Sequence, residues 1–163
     1  MVPVTPYSPH LEERDPLVVM RETIPAFAAV LSGLSAEAWE RPIAPGKWSV
    51  RKVMIHLAQT ELALGTRARM ALTREHYAAQ SFDQDRWLAL ESGMSGADAL
   101  GLFTALATAN LSLYATLDEA ARQTSLTHDE YGPMTVDWII HQEAGHQVHH
   151  YKQLRPLNLD VRR

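Results

Sequence analysis

The sequence predicts an all-α fold, a four-helix bundle. Four long segments carry apolar residues at helical spacing, and residues that favour helix N-caps, Ser49, Ser95 and Thr135, stand directly before three of them. No segment has a credible strand pattern, and four long helices without strands typically form a bundle. Two connections, 35–48 and 76–94, are long enough to cross over the bundle, so the spacing does not assure a simple up-down-up-down topology.

The first half of the chain is predicted to hold two of these helices. Residues 1–14 are rich in proline and should be irregular, which leaves 15–163 as one domain. The first helix is expected from Pro16 to Ser32, because proline suits a first-turn position. Pro25 lies inside its apolar pattern and should kink or split it. Ser49 should cap the second helix, which runs to about Glu75.

The second half is predicted to hold the other two long helices. The third begins at Ser95 and ends near Leu117, and the last runs from the Thr135 cap to about Arg155. Residues 119–134 are expected to form a loop. Short helical segments are expected at 35–39 and 83–90.

The composition excludes several classes of function. The net charge is −4 with a pI near 6.0, and no basic stripe marks a nucleic-acid partner. No apolar run reaches the roughly 18 residues of a membrane span, and the first residues lack the pattern of a signal peptide. Cysteine is absent, so any thiol chemistry needs a thiol from outside. A cytoplasmic protein is the simplest interpretation.

Two histidines of the last predicted helix carry the strongest chemical signal. His146 and His150 are four residues apart, so their imidazoles point the same way. A helical wheel puts Glu143 and Gln153 on the same inward stripe as both of them. Polar groups on a core-facing stripe need partners, and a metal ion or a hydrogen-bond network would supply them.

A third histidine, His56, lies in the predicted second helix and could close a tripod that leaves metal positions open. A lone histidine on an apolar face is more often a hydrogen-bonded core residue, however, and the chain has eight histidines. Spacing alone therefore leaves both interpretations open. Gln147 follows His146, which argues against a zinc protease motif, and a single Glu-x-x-His argues against a di-iron site.

The remaining features of this helix are less decisive. His141 falls on the far side of the wheel and is expected at the surface. His149 falls on the flank, where a solvent-facing position is favoured, although a pair of His146 and His149 is also geometrically possible. Gly145 could allow a neighbouring helix to approach closely or could be a tolerated defect.

Three segments together resemble the DinB/YfiT-like family of metalloenzymes, in the same order and spacing over residues 15–157. They are Pro-Gly-Lys-Trp-Ser-Val at 45–50 followed by His56-Leu57 and Glu61, Phe82-Asp83-x-Asp85-x-Trp87, and Tyr131-Gly-Pro-Met-Thr135 followed by His146-x-x-x-His150-x-x-Gln153.

The resemblance implies a four-helix bundle with up-down-down-up topology. It also implies a divalent metal ion held by His56, His146 and His150, and a homodimer. Zn, Ni, Fe and Co all suit three imidazoles, so the residues do not identify the metal. The family shares its fold with transferases and isomerases that use a low-molecular-weight thiol.

These observations favour a metal-dependent enzyme of the thiol S-transferase type, acting on a small-molecule substrate. A hydrolase using metal-activated water, a non-catalytic metal- or ligand-binding bundle of a stress response, and a purely structural bundle are the alternatives. Glu143 and Glu61 are weak candidates for moving a proton. Gln153 and His149 are candidates for orienting a ligand imidazole.

Overall fold

The computed structural model describes residues 2–155, which form a helical bundle with a small sheet. Residues 156–163, which the predicted domain includes, lie outside the described part of the chain. The elements in chain order are α1 Ser8–Leu11, α2 Pro16–Leu31, α3 Ala36–Glu40, α4 Val50–Thr73, β1 Ala78–Ala79, α5 Gln84–Leu90, α6 Gly96–Tyr114, α7 Glu119–Arg122, β2 Ser125–His128, β3 Gly132–Thr135 and α8 Val136–Leu154.

Helices α4 and α6 run in the same direction. Arg51, in the first turn of α4, donates to the carbonyl of Met94, just before α6 begins, at 3.3 Å. Near the other ends of the two helices, Arg69 donates to Oδ1 of Asn110 at 2.7 Å. The long connection between α4 and α6 therefore returns the chain to the end of the bundle where α4 began.

Helices α2 and α8 also run in the same direction. Oγ1 of Thr23 donates to Oε1 of Gln147 at 2.5 Å. One turn further along both helices, the rings of Phe27 and Tyr151 meet edge to face with centroids 5.5 Å apart. Phe27 also contacts Phe103 of α6 at 4.9 Å, and all three helices share one core.

Helices α4 and α8 run in opposite directions, which completes the topology. Val53, near the start of α4, lines a cavity with Gln153, near the end of α8. Leu64, further along α4, lines another cavity with Gln142. The directions of α2, α4, α6 and α8 are thus up, down, down and up, as the resemblance implied.

The N-caps of the long helices follow the sequence expectation. The side chains of Ser49, Ser95 and Thr135 each accept an N–H from the first turn of the helix that follows. The first helix is continuous through Pro25. Of the two predicted effects of this proline, a kink or a split, the split was wrong. The third helix ends at Tyr114 rather than near Leu117.

The expectation that the chain has no strands was also wrong. Strands β2 and β3 form a hairpin in which Ser125 pairs with Thr135, and β1 joins β2 in parallel. The predicted loop 119–134 instead contains α7, β2 and most of β3. The strands are two to four residues long, and β2 buries only Leu126 and His128, so the period-2 pattern was too short to detect.

The N-terminal segment, expected to be irregular, contains the single-turn helix α1, which packs against α8. Gly145 makes this packing possible, because a Cβ at that position would lie 2.7 Å from the carbonyl oxygen of Tyr7. Trp138 holds the same segment by donating from Nε1 to the carbonyl of Val4 at 3.1 Å. None of the helices within residues 2–155 combines the length and apolar character needed to cross a membrane.

Candidate metal centre

Helices α4 and α8 bring His56, His146 and His150 together. Nε2 of His146 lies 3.1 Å from Nε2 of His56 and 2.9 Å from Nε2 of His150. All three residues offer a ligand atom within 4.8 Å of the others. Two imidazole nitrogens on one tetrahedral Zn²⁺, each about 2.0–2.1 Å from the ion, lie roughly 3.3–3.4 Å apart. The spacing of this histidine trio is therefore close to that of a shared metal ion.

The three rings are held in the neutral form. Burial lowers the pKa of His56 to about 4 and that of His150 to about 3, and it lowers the pKa of His146 well below its usual value. A neutral imidazole offers a lone pair, which is the form that binds a metal ion. Three converging lone pairs favour a divalent cation between the rings over direct contact between the ring nitrogens.

Gln153 fixes the orientation of His150. Its Oε1 lies 2.9 Å from Nδ1 of His150 and can only accept, so Nδ1 carries the proton and Nε2 presents its lone pair to the trio. The amide nitrogen of Gln153 donates to Nε2 of His149 at 3.0 Å. This arrangement is typical of a side chain that supports a metal-binding histidine from behind.

His149 points away from the trio. Its Nε2 is engaged by Gln153, and its Nδ1 lies 3.1 Å from Nε2 of His10. The ring is half-buried, where a solvent-facing position was favoured, because α1 covers this flank of α8. The alternative pair of His146 and His149 is not the one that the structure brings together.

The prediction that His141 lies at the surface was wrong. Its exposed fraction is 8%, and its Nδ1 lies 2.9 Å from the carbonyl oxygen of Asp137. The wheel assumed that the side of α8 opposite the histidine stripe faces solvent. Helices α1 and α7 cover α8 in addition to the bundle, and Arg122 of α7 pairs with Asp137.

Glu61 and Glu143 lie in the core rather than beside the trio. Nδ2 of Asn110 donates to both carboxyl groups, at 3.2 and 3.0 Å, and Gln147 donates to Glu61 at 2.8 Å. Burial raises the pKa of Glu61 to about 7, and burial together with Glu61 raises that of Glu143 well above its usual value. Neither side chain lines the two cavities that reach the trio, and both belong to a buried hydrogen-bond network.

Two cavities reach the histidine trio, and each is lined by a different set of residues. The first, about 370 Å³, is lined by His56 and His146, and the second, about 580 Å³, is lined by His150. Both volumes fall in the range of small-molecule sites. The two cavities share no lining residue, so the trio borders two separate cavities.

Aromatic rings close around the trio. Tyr7 meets His146 edge to face with centroids 4.8 Å apart, and the ring of Trp48 lies 5.2 Å from that of His56. Trp48 belongs to a segment that the resemblance used. Tyr7 gave no signal, because its segment reads as irregular chain. Phe82 and Tyr131, which line the first cavity, also stand in segments that the resemblance used, whereas the sequence interpretation missed Arg67, Trp138 and Gln142.

Residues 20–154 match the sequence model of the DinB superfamily. YfiT of Bacillus subtilis, named a "putative metal-dependent hydrolase", is 23% identical over 164 residues, which cover 96% of this chain and 92% of that protein. A protein of Oceanobacillus iheyensis with the same functional name is 23% identical over 126 residues, which cover 77% of this chain and 73% of that protein.

Solved structures share the fold. The structure of Bacillus subtilis YfiT, described as a probable metal-dependent hydrolase with an unusual four-helix bundle topology, has a TM-score of 0.79 at 22% identity, covering 87% of this chain and 83% of that one. A mycothiol-dependent maleylpyruvate isomerase has a TM-score of 0.69 at 17% identity, covering 88% of this chain and 60% of that one. These likenesses confirm the predicted four-helix bundle.

Proposed function

This chain belongs to the DinB superfamily, and from that premise we propose that it is a divalent-metal-dependent enzyme that transfers a low-molecular-weight thiol to an electrophile. The convergence of three neutral, buried imidazoles carries the proposal. His56, His146 and His150 would hold the ion, with Zn, Ni, Fe or Co as the candidates. Relatives named as metal-dependent hydrolases support the metal.

Neutral ligands determine what such a metal ion would do. Three imidazoles leave its full charge uncompensated, so the ion, when bound, would favour loss of a proton from a thiol at the open position. Gln153 keeps the lone pair of His150 directed at the ion. The rings of Tyr7 and Trp48 pack against His146 and His56.

The two separate cavities favour a two-substrate reaction over hydrolysis. A thiol and an electrophile need distinct sites that meet at the metal, and the cavities beside His146 and His150 would serve as these sites. The chain has no cysteine, so the thiol must be a cosubstrate. A structural neighbour that is dependent on mycothiol supports this choice. The hydrolase names of the relatives make metal-dependent hydrolysis the second candidate.

An assay with several low-molecular-weight thiols and one electrophile tests the proposal. Zn²⁺- or Ni²⁺-loaded protein should consume thiol and electrophile together, and the His146→Ala variant should lose this activity. The exposed His76 offers a control, because His76→Ala should keep full activity.

Two outcomes would contradict thiol transfer. Metal-dependent hydrolysis of ester or amide substrates without any thiol would favour the hydrolase. No metal-dependent turnover in either assay, despite bound metal, would favour a non-catalytic metal-binding bundle.

A further inference from the structure

The first cavity contains a cation that the proposed chemistry does not use. Arg67 of α4 lines this cavity, and only 9% of its surface is exposed. Its guanidinium donates to the carbonyl of Gln80 and lies 5.9 Å from the ring centroid of Phe82. A guanidinium has five N–H donors, so most of its hydrogen-bonding capacity is available to a molecule in the cavity.

Arg67 also has no carboxylate in ion-pair contact within residues 2–155. Asp129 and Glu130 attract it from a distance. Asp129, however, is held by Ser81, which donates to it from the backbone N–H at 2.9 Å and from Oγ at 3.0 Å. A buried charge is costly without a close partner, and an anionic ligand would provide one.

The position of Arg67 relates it to the metal centre. Four cavity-lining residues, His56, Thr60, Leu64 and Arg67, lie along one face of α4. Eleven residues of helix place the Cα of Arg67 about 16 Å from that of His56. Both side chains lean toward the N-terminus of α4, so they keep this separation and lie toward opposite ends of one cavity. A small molecule in this cavity can therefore lie between Arg67 and the histidine trio.

We propose that Arg67 binds a carboxylate of the small-molecule substrate, and that the electrophile of this enzyme is an organic acid. A guanidinium pairs with a carboxylate through two parallel hydrogen bonds, which fixes the direction of the ligand. Phe82, Tyr131 and Trp138 line the same cavity and pack against the carbon skeleton. The assignment of this molecule as the electrophile rests on the proposed function, whereas the anion site does not require the metal.

Calorimetry on metal-free protein tests the anion site directly. The probes are 3-phenylpropionate, 4-phenylbutyrate and hexanoate, each compared with its primary amide, which has a similar shape but no charge. The carboxylate should bind at least about tenfold more tightly than the amide for one or more of these pairs.

Variants assign the preference to one residue. Arg67→Gln should reduce the ratio of the two affinities to within about threefold, while Arg67→Lys, which keeps the charge without the fork, should retain part of it. Arg86→Gln is the matched control, because Arg86 is exposed on α5 and does not line the cavity. Circular dichroism and zinc content establish that each variant is folded and keeps its metal site.

Some results would overturn the anion site. Equal affinity for acids and amides, no binding of any pair up to about 10 mM, or a preference that persists in Arg67→Gln would each do so. None of these results bears on zinc binding by the histidine trio, so failure of the anion site is distinguishable from failure of the proposed function. If the carboxylate preference depends on Arg67 but metal-loaded protein consumes no thiol, the proposed function is wrong and the anion site stands.

Discussion

At the residue scale, the proposed metal site depends on which nitrogen of each histidine points to the centre of the trio. Gln153 determines this for His150, since its Oε1 can only accept from Nδ1. The amide nitrogen of Gln153 donates to Nε2 of His149. Nδ1 of His149 is in turn hydrogen-bonded to Nε2 of His10 in α1. A row of hydrogen bonds thus connects the metal centre to the N-terminal helix.

Replacing Gln153 by alanine should weaken zinc binding about 10- to 100-fold, because His150 loses the acceptor that fixes its ring and raises its basicity. Competition with a chromophoric chelator measures this affinity. Lys152→Ala is the matched control, since Lys152 is exposed beside Gln153 and forms an ion pair with Glu12. Equal zinc affinities of the two variants would show that Gln153 does not orient His150.

The sequence predicted the positions of the trio better than the residues around it. His146 and His150 are one turn apart on a single helix, and periodicity detects such pairs. His56 lies 90 positions from His146, so spacing left its place in a tripod open and the resemblance then linked the two residues. Arg67 and Tyr7 reach the cavity through tertiary packing, and neither has a neighbour in the sequence that signals it.

At the element scale, contact between α1 and α8 covers the histidine trio. The chain at Tyr7 lies directly against Gly145, and the ring of Tyr7 contacts those of His146 and His149. Any side chain at position 145 would therefore displace Tyr7, whose ring packs against His146. Of the two explanations for this glycine, the structure favours close approach.

Gly145→Ala should lower the free energy of unfolding by about 1–3 kcal/mol, because its Cβ would lie 2.7 Å from the carbonyl oxygen and 2.8 Å from the Cβ of Tyr7. This clash should outweigh the gain of about 1 kcal/mol in helix propensity. Gly101→Ala on α6 is the matched control, since its Cβ would meet no atom within 4 Å, and it should stabilise. Urea denaturation that shows the same sign for both variants would contradict the close approach.

The sequence could predict elements with local signals but not those stabilised by distant contacts. Ser49, Ser95 and Thr135 mark helix starts within a few residues of the apolar pattern that they precede. Strand β1 has two residues and exists because Ala78 and Ala79 pair with residues 127 and 128. No local pattern predicts such a pairing. The error at His141 has the same origin, since distant segments bury the outer face of α8.

At the scale of the whole molecule, a buried polar network joins the four long helices. Thr23 of α2 donates to Gln147 of α8, which donates to Glu61 of α4. Asn110 of α6 joins Glu61 to Glu143 of α8. Buried polar groups stabilise only the arrangement that satisfies them, so this network favours one register of the helices that carry the histidine trio.

The stability of the network should depend on pH. Because the pKa of Glu143 is raised in the folded state, the unfolded chain loses this proton at a lower pH than the folded protein does. The free energy of unfolding should therefore fall as the pH rises above about 4.5, at up to about 1.4 kcal/mol per pH unit, until the folded pKa is passed. Glu143→Gln cannot titrate and keeps an acceptor for Asn110, so it lacks this contribution.

Urea denaturation of metal-free protein between about pH 5 and 8 measures this difference. The stability of Glu143→Gln relative to the unmodified protein should increase with pH. Glu75→Gln, which removes a carboxylate at an exposed residue, is the control. A constant difference for Glu143→Gln would show that Glu143 titrates normally.

The measurement that tests the central claim most directly is the zinc content of purified, zinc-loaded protein and its histidine variants. We expect about one equivalent per chain in the unmodified protein, coordinated by three imidazoles. His56→Ala, His146→Ala and His150→Ala should each lose most of it, while His76→Ala should keep it. Less than about a tenth of an equivalent in the unmodified protein, or full retention in the three variants, would contradict a metal centre at this trio.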